Sequence, residues 1–188
     1  MVSKGLADRA VRDFKLAHPE MDLTTIHPSY IYGPHGSGQV VSSPASGTNR
    51  YVYALISGPP DDRPLLRFDR AVGGPPHSVD VRDVARAHVL ALKLPPSPVE
   101  TKRFILSSNV SPWTEVIEFL ATARPELKER LPVITGKEAP VGAFVTLDDS
   151  ATRDVLGLKS YIRWQDTIVD TLDDLLRVEK EQQPAAAR

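Results

Sequence analysis

Residues 2 to 28 restrict the fold class more than any other stretch of the chain. From Val2 to about Ala17 the apolar positions Leu6, Ala7, Ala10, Val11 and Phe14 recur at helical spacing, and His18-Pro19 ends the pattern. Leu23-Thr24-Thr25-Ile26 follows, short and β-branched. It runs into His27-Pro28-Ser29-Tyr30-Ile31-Tyr32-Gly33-Pro34, which reads as a strand opening into a loop. An amphipathic helix feeding a short buried strand is half of a parallel α/β repeat, because parallel strands need a crossover and a helix usually supplies it. The expected class is therefore α/β.

The rest of the chain extends this pattern. Residues 35 to 47 hold Gly36, Gly38, Gly47 and Pro44 among small polar residues and read as a loop; a short helix from about Asn49 to Ile56 comes next. Pro/Gly-rich stretches at 58–64 and 73–76 bracket a candidate strand at Leu65-Leu66-Arg67-Phe68. Asp80 is placed to cap a helix, with Asp83 as a second acceptor one turn in and Val81, Val84, Ala85, His88 and Leu92 as its stripe. Phe104-Ile105-Leu106 is a strand, and Ser111-Pro112 opens a helix burying Trp113, Val116, Ile117, Leu120 and Ala121. Asp148 or Asp149 caps a short helix ending at Gly157, and Ile168, Val169, Leu172, Leu175 and Leu176 form the face of a last helix before a frayed tail from about residue 183.

With 23 basic and 24 acidic residues dispersed along 188 positions, no electrostatic footprint for nucleic acid exists. No apolar run approaches the roughly 18 residues of a membrane span. The absence of cysteine excludes disulfides and thiolate chemistry. A start without a signal peptide's apolar core makes the cytoplasm the expected location. The five histidines show no metal-ligand spacing, so no metal is expected, and His88 reads as a hydrogen-bonded core residue. Gly33-Pro34-His35-Gly36-Ser37-Gly38 lacks the Lys-Ser/Thr ending of a phosphate loop and reads as a flexible substrate loop. Asp80, Arg82 and Asp83 are explained by helix capping and a local ion pair.

Three segments in order, Ser3-Lys4-Gly5-Leu6-Ala7-Asp8-Arg9-Ala10, residues 26–34 and Val79-Asp80-Val81-Arg82-Asp83-Val84-Ala85-Arg86-Ala87-His88, resemble the extended short-chain dehydrogenase/reductase (epimerase/dehydratase) family. The likeness is nearest to carbonyl reductases of the dihydroflavonol-reductase and methylglyoxal-reductase type, and it runs on through Thr146-Leu147-Asp148-Asp149-Ser150 to the closing helix. The resemblance implies the C-terminal remnant of a doubly wound, Rossmann-type parallel sheet with a small mixed α/β substrate lobe. It places the end of the nucleotide-binding domain in 1–94, a substrate-loop insertion at about 35–76, and the substrate lobe mainly in 95–182.

By the same resemblance, Lys4 matches the lysine of the family's Tyr-x-x-x-Lys signature, whose charge lowers the tyrosine pKa and binds ribose hydroxyls. The tyrosine position falls before Met1. Pro28, Ser29, Tyr30 and Ile31 would meet the nicotinamide end of NADP or NAD, largely through main-chain atoms, and Tyr30 could also line a substrate pocket. Ser43, or else Ser42 or Ser46, would approach the cofactor phosphates. The glycine-rich turn for the pyrophosphate and the residue that selects NAD or NADP do not occur in this sequence. The resemblance thus implies part of an oxidoreductase acting on a small-molecule carbonyl, inactive by itself. A non-catalytic interaction module, and within the family a sugar-nucleotide epimerase or dehydratase, remain as alternatives. An unpaired strand edge beside an exposed apolar helix face would favour self-association.

Overall fold

The computed structural model describes residues 2–57, 77–97, 100–110, 112–134, 136 and 145–182. The expected strand at 65–68, the Ser111 cap and the tail at 183–188 lie outside the described residues. Helix α1 (Val2–Ala17) leads into β1 (Thr24–Pro28) and β2 (Tyr30–Tyr32), followed by α2 (Arg50–Tyr53), β3 (His77–Asp80) and α3 (Val81–Ala91). Strands β4 (Lys102–Leu106) and β5 (Asn109–Val110) precede α4 (Trp113–Ala123), a 3₁₀ helix (Pro125–Arg130), α5 (Ser150–Asp154) and α6 (Trp164–Gln182).

The chain is α/β with parallel pairing, as the helix-strand order predicts. Strand β1 lies parallel to β4, from Thr24 opposite Lys102 to Pro28 opposite Leu106. Strand β2 lies parallel to β3, and β3 pairs antiparallel with β5. The segment read as a strand opening into a loop is in fact two strands split at Ser29. Proline has no N–H to donate, so the ladder cannot continue unchanged through Pro28; the Ser29 amide donates to Leu106 O at 2.9 Å, and the chain then enters the second sheet.

Alternation along β2 feeds two apolar clusters. Tyr32 belongs to, and Tyr30 packs against, a cluster with Val52, Leu55, Trp113, Ile117, Leu172 and Leu175. Ile31 packs against the other, built on Val79, Ala87, Phe104, Leu106, Leu156 and Leu158. Among the described side chains helix α1 contributes a buried residue to neither: Leu6, Phe14 and Leu16 are exposed, and the one buried there is Lys15, whose Nζ donates to Pro19 O (2.8 Å) and Met21 O (2.5 Å) beyond the helix end. The helix is held through charge, with the Arg103 guanidinium of β4 donating to both carboxylate oxygens of Asp8 at 3.1 and 3.0 Å.

Two helix faces differ from the sequence reading. On α3 the buried positions are Asp83 and Ala87, with Val84, Leu90 and Ala91 packed on the second cluster, whereas Ala85, His88 and Leu92 are exposed. A carboxylate sets this rotation, since the buried Asp83 accepts from the Ile162 amide (2.8 Å) and from Arg86 (2.7 Å). His88 is therefore not a core residue; its ring is bonded to Val84 O. On α6, Ile168, Leu172 and Leu175 are buried as expected, but Thr167, Thr171 and Val178 join them while Val169 and Leu176 are half-buried. Asp149 does not cap α5 with its side chain; Asp148 Oδ1 accepts from the Ser150 amide, and Asp149 pairs with Arg153.

Asp80 caps α3 as predicted and does more. Its Oδ1 accepts from the Arg82 amide (2.8 Å) and Arg82 Nε (2.9 Å), and its Oδ2 accepts from Arg82 Nη2 (2.7 Å) and Thr167 Oγ1 (2.7 Å) on α6. Burial alone would raise this carboxyl, but the Arg82 and Thr167 hydrogen bonds outweigh it and hold Asp80 below the ordinary value of 3.8. A depressed folded-state value means that the stabilisation is present above the unfolded value and is lost as pH falls through the folded one. Asp80→Ala is expected to cost about 3 kcal/mol, because it leaves Thr167 and the first helical turn without their acceptor. In thermal melts from pH 6 to 3, the wild-type Tm should fall more steeply below about pH 4 than that of Asp80→Asn. Parallel pH profiles for the two proteins would refute this role for Asp80.

Candidate functional site

The carboxyl end of a parallel strand is where ligands collect in open α/β sheets, and β2 ends at a cleft. This cleft, of about 310 Å³, is lined by Ile31, Tyr32, Gly33, Pro34, His35, Gly36, Gln39, residues 46–49 and Val81. Its floor is tight at Gly33. With φ at 138° that residue lies where side chains are disfavoured, and a Cβ there would stand 2.6 Å from Val81 Cγ1. The loop wall is tied back to the strand: Thr48 Oγ1 donates to Ile31 O, and Asn49 Nδ2 donates to Gly33 O at 2.8 Å.

The far wall is fastened to α6. Asp174 Oδ2 accepts from both the backbone amide (3.1 Å) and Nδ1 of His35, and Arg177 donates to Asp174 Oδ1 at 2.7 Å. Partial burial pushes the Asp174 carboxyl up, but the hydrogen bonds from Arg177 and His35 prevail and keep it below the usual carboxylate range. Asp174 is thus ionised near neutral pH and acts only as an acceptor, so Nδ1 of His35 carries the proton.

The sequence-chosen residues fall into three groups. Pro28, Ser29, Tyr30 and Ile31 run through the β1–β2 junction, and Ile31 reaches the cleft. Ser29 Oγ is buried without a partner, and Tyr30 packs edge-on to Tyr51 at 6.0 Å. Ser43 lies in the loop, its Oγ accepting from the Ala45 amide at 3.1 Å; it is not among the lining residues, whereas Ser46 is. Lys4 is exposed on α1 and makes no hydrogen bond or ion pair with any described residue. Tyr32, His35, Thr48, Asn49 and Asp174 went unread as site residues. His35 and Asp174 are 139 positions apart, and local spacing carries no trace of their pairing.

Two oxygens of cleft-lining residues, Tyr32 Oη and Asn49 Oδ1, and Ser29 Oγ at the β1–β2 junction are buried without partners among the described residues. Burial, reinforced by the nearby Tyr30 and Tyr51, pushes the Tyr32 phenol far up, so it remains a neutral hydroxyl. Buried polar atoms are normally satisfied, and a native exception asks for an explanation such as a ligand. Among the described residues no cluster of His, Asp and Glu could hold a metal ion, and no helix is long and apolar enough to cross a membrane. Removing an unpartnered hydroxyl removes a desolvation cost, so Tyr32→Phe should leave Tm unchanged or raise it, by up to about 1 kcal/mol of stability. A fall of several degrees in differential scanning calorimetry would show that the hydroxyl is already satisfied.

No protein-family model matches the chain. Along 177 residues it is 26% identical to a putative NADPH-dependent methylglyoxal reductase, GRP2, of Candida albicans, covering 93% of this chain and 49% of that protein. It is 32% identical over 163 residues to the ketoreductase azaE of Aspergillus niger, covering 83% of this chain and 44% of the relative. Among solved structures, Gre2 of Candida albicans in complex with NADPH superposes with a TM-score of 0.70 at 25% identity, over 91% of this chain and 49% of that one. The chain spans about half the length of the curated relatives it matches.

Proposed function

Because the chain belongs to the extended short-chain dehydrogenase/reductase family, we propose that it forms the nicotinamide and substrate side of an NAD(P)-dependent carbonyl reductase. NADP is favoured over NAD because relatives are named as NADPH-dependent. The observation that carries this reading is the continuous match along the chain, with Pro28 at the carboxyl end of a parallel strand and Ile31, three residues on, lining a cleft. Residues 1–94 then belong with the nucleotide-binding domain and 95–182 mainly with the substrate lobe. The glycine-rich turn and the catalytic tyrosine come from outside these residues, in a longer chain of cytoplasmic location.

The residues present fit the nicotinamide end of such a cofactor. Ser29 Oγ, which has no partner among the described residues just past the end of β1, is the hydrogen-bonding group this reading gives to the carboxamide. Pro28 to Ile31 would hold the nicotinamide, Lys4 the ribose hydroxyls, and Ser43 or Ser46 the phosphates; the bound dinucleotide supplies the hydride. Lys4 has the further task of lowering the pKa of a tyrosine one helical turn before it, so that this hydroxyl can give its proton to the substrate oxygen.

The test joins this chain to an upstream segment bearing the glycine-rich strand-turn-helix and a tyrosine four places before Lys4. That protein is expected to oxidise NADPH in the presence of methylglyoxal, and Lys4→Met to lower kcat by about 100-fold or more. A wild-type longer chain with no NADPH turnover on any of a panel of aldehydes and ketones would sink the reading. The 188 residues alone should bind NADPH only weakly in calorimetry; a micromolar Kd, about 8 kcal/mol of binding, would show the cofactor contacts to be divided differently.

The exposed Leu6, Phe14 and Leu16 of α1 carry a second expectation. Three such side chains left in water forgo several kcal/mol at about 25 cal/mol per Å² of apolar surface. The isolated chain should therefore elute as oligomers or aggregates in size-exclusion chromatography, while the longer chain elutes as a discrete species. A monodisperse, cooperatively melting monomer of the short chain would contradict this.

A further inference from the structure

The two limbs of the loop that walls the cleft are held in different ways. Both contribute lining: Pro34, His35, Gly36 and Gln39 where the chain leaves β2, and residues 46–49 where it returns. The returning limb is bonded to the strand twice, through Thr48 Oγ1 to Ile31 O and through Asn49 Nδ2 to Gly33 O. The outgoing limb is not. Among the described residues its hydrogen bonds inside the loop join Gly36 and Gln39, and its one partner outside the loop is Asp174 of α6.

Asp174 is built for that task. Its Oδ2 meets both the main-chain amide and the ring Nδ1 of His35, while Oδ1 is held by Arg177, which in turn reaches Glu181. The amide contact needs no particular side chain at position 35 and no particular charge on its ring. The His35 and Asp174 side chains are 11% and 10% exposed, so water competes little for these bonds. Leu172 and Leu175, on either side of Asp174 along the helix, are fully buried and fix the backbone that carries the carboxylate. Two turns further on, about 12 Å along the helix, Gln182 Nε2 donates to Val41 O at 3.3 Å, so the loop lies along α6.

We propose that Asp174, which does not itself line the cleft, is its positioning residue: by holding the amide and ring of His35 it sets where the outgoing limb stands, and with it the width of the substrate opening. The inference rests on the reductase reading and adds to it a residue, outside the pocket, on which substrate affinity depends. A wall held by one carboxylate is lost with that carboxylate, whereas the β1–β2 junction and the returning limb keep their own bonds. Removing Asp174 therefore weakens the binding of substrate and transition state alike, which raises KM and leaves kcat nearly unchanged.

The experiment uses the longer chain, with its upstream segment joined, as wild type, Asp174→Ala and Asp174→Asn. Hydrogen exchange read by mass spectrometry over residues 34–47 needs no turnover. In Asp174→Ala this stretch is expected to exchange at least about tenfold faster than in wild type, with unchanged exchange of α4 as the check on folding. Asp174→Asn keeps one acceptor oxygen and should fall between the two. With methylglyoxal as substrate, Asp174→Ala should raise KM about tenfold, while kcat and the KM for NADPH change by less than about threefold. Unchanged exchange over 34–47 in a folded Asp174→Ala protein would overturn the proposal. So would faster exchange with an unchanged KM for methylglyoxal, or a loss confined to kcat. A wild type that turns over no carbonyl counts against the reductase reading instead, and the exchange of 34–47 still decides whether Asp174 holds the wall. If Asp174→Ala does not fold, Asp174→Asn is compared with wild type and judged in the same way.

Discussion

The fold depends on a buried carboxylate at the point where β3 becomes α3. Asp80 ends the strand, caps the helix and receives Thr167 from α6, so one side chain joins three elements. Such a residue is tolerated inside because each of its oxygens is fully engaged and the Arg82 guanidinium supplies the opposing charge. Asp83, a turn later, repeats the arrangement with the Ile162 amide and Arg86, though burial dominates there and pushes its carboxyl up. Packing in this half of the molecule is thus set by where two carboxylates find partners, and the apolar side chains fill what remains.

This explains which parts of the architecture were readable from residues alone. Elements with strong local signals, such as α1, β1, β4 and the cap at Asp80, are where their periodicity and capping chemistry put them. The rotation of α3 was misread because apolar spacing favoured Val81, Ala85 and His88, whereas the burial of Asp83 depends on the Ile162 amide, a contact 79 positions away. The split at Ser29 escaped for a similar reason: a proline in a strand signals interruption, but only the pairing partners show that both sides are strands.

Of the stretch singled out in the sequence, Pro28 to Ile31, Ile31 alone is among the residues lining the cleft, and the polar side chains around it had no sequence signal. Pro28 to Ile31 could be singled out because a strand end with a proline frees main-chain groups at the sheet edge. The loop that faces it contributes through Thr48 and Asn49, whose hydroxyl and amide are spent on strand carbonyls, and nothing in a Gly/Ser-rich loop announces which polar residue will turn inward. Asp174 lies on a helix whose apolar face attracts the eye, while its polar face carries the contact that fastens the cleft wall.

Strand β2 is three residues long, yet its alternation sends Tyr32 into one apolar cluster and Ile31 towards the other. Because side chains along a strand alternate with period two, a shift of a single residue would exchange the two sets, driving tyrosines toward the Phe104 side and an isoleucine toward Trp113. Length is therefore frozen between Pro28 and Gly33, where one inserted or deleted residue would scramble both cores at once. The loop at 35–47 is tied at His35 and Val41 and buries Pro44, but its other positions are exposed or half-buried, so a change of length there costs less than one in the strand. Divergence among proteins built on this plan should accordingly write its insertions next to the cleft and never into the strand beneath it.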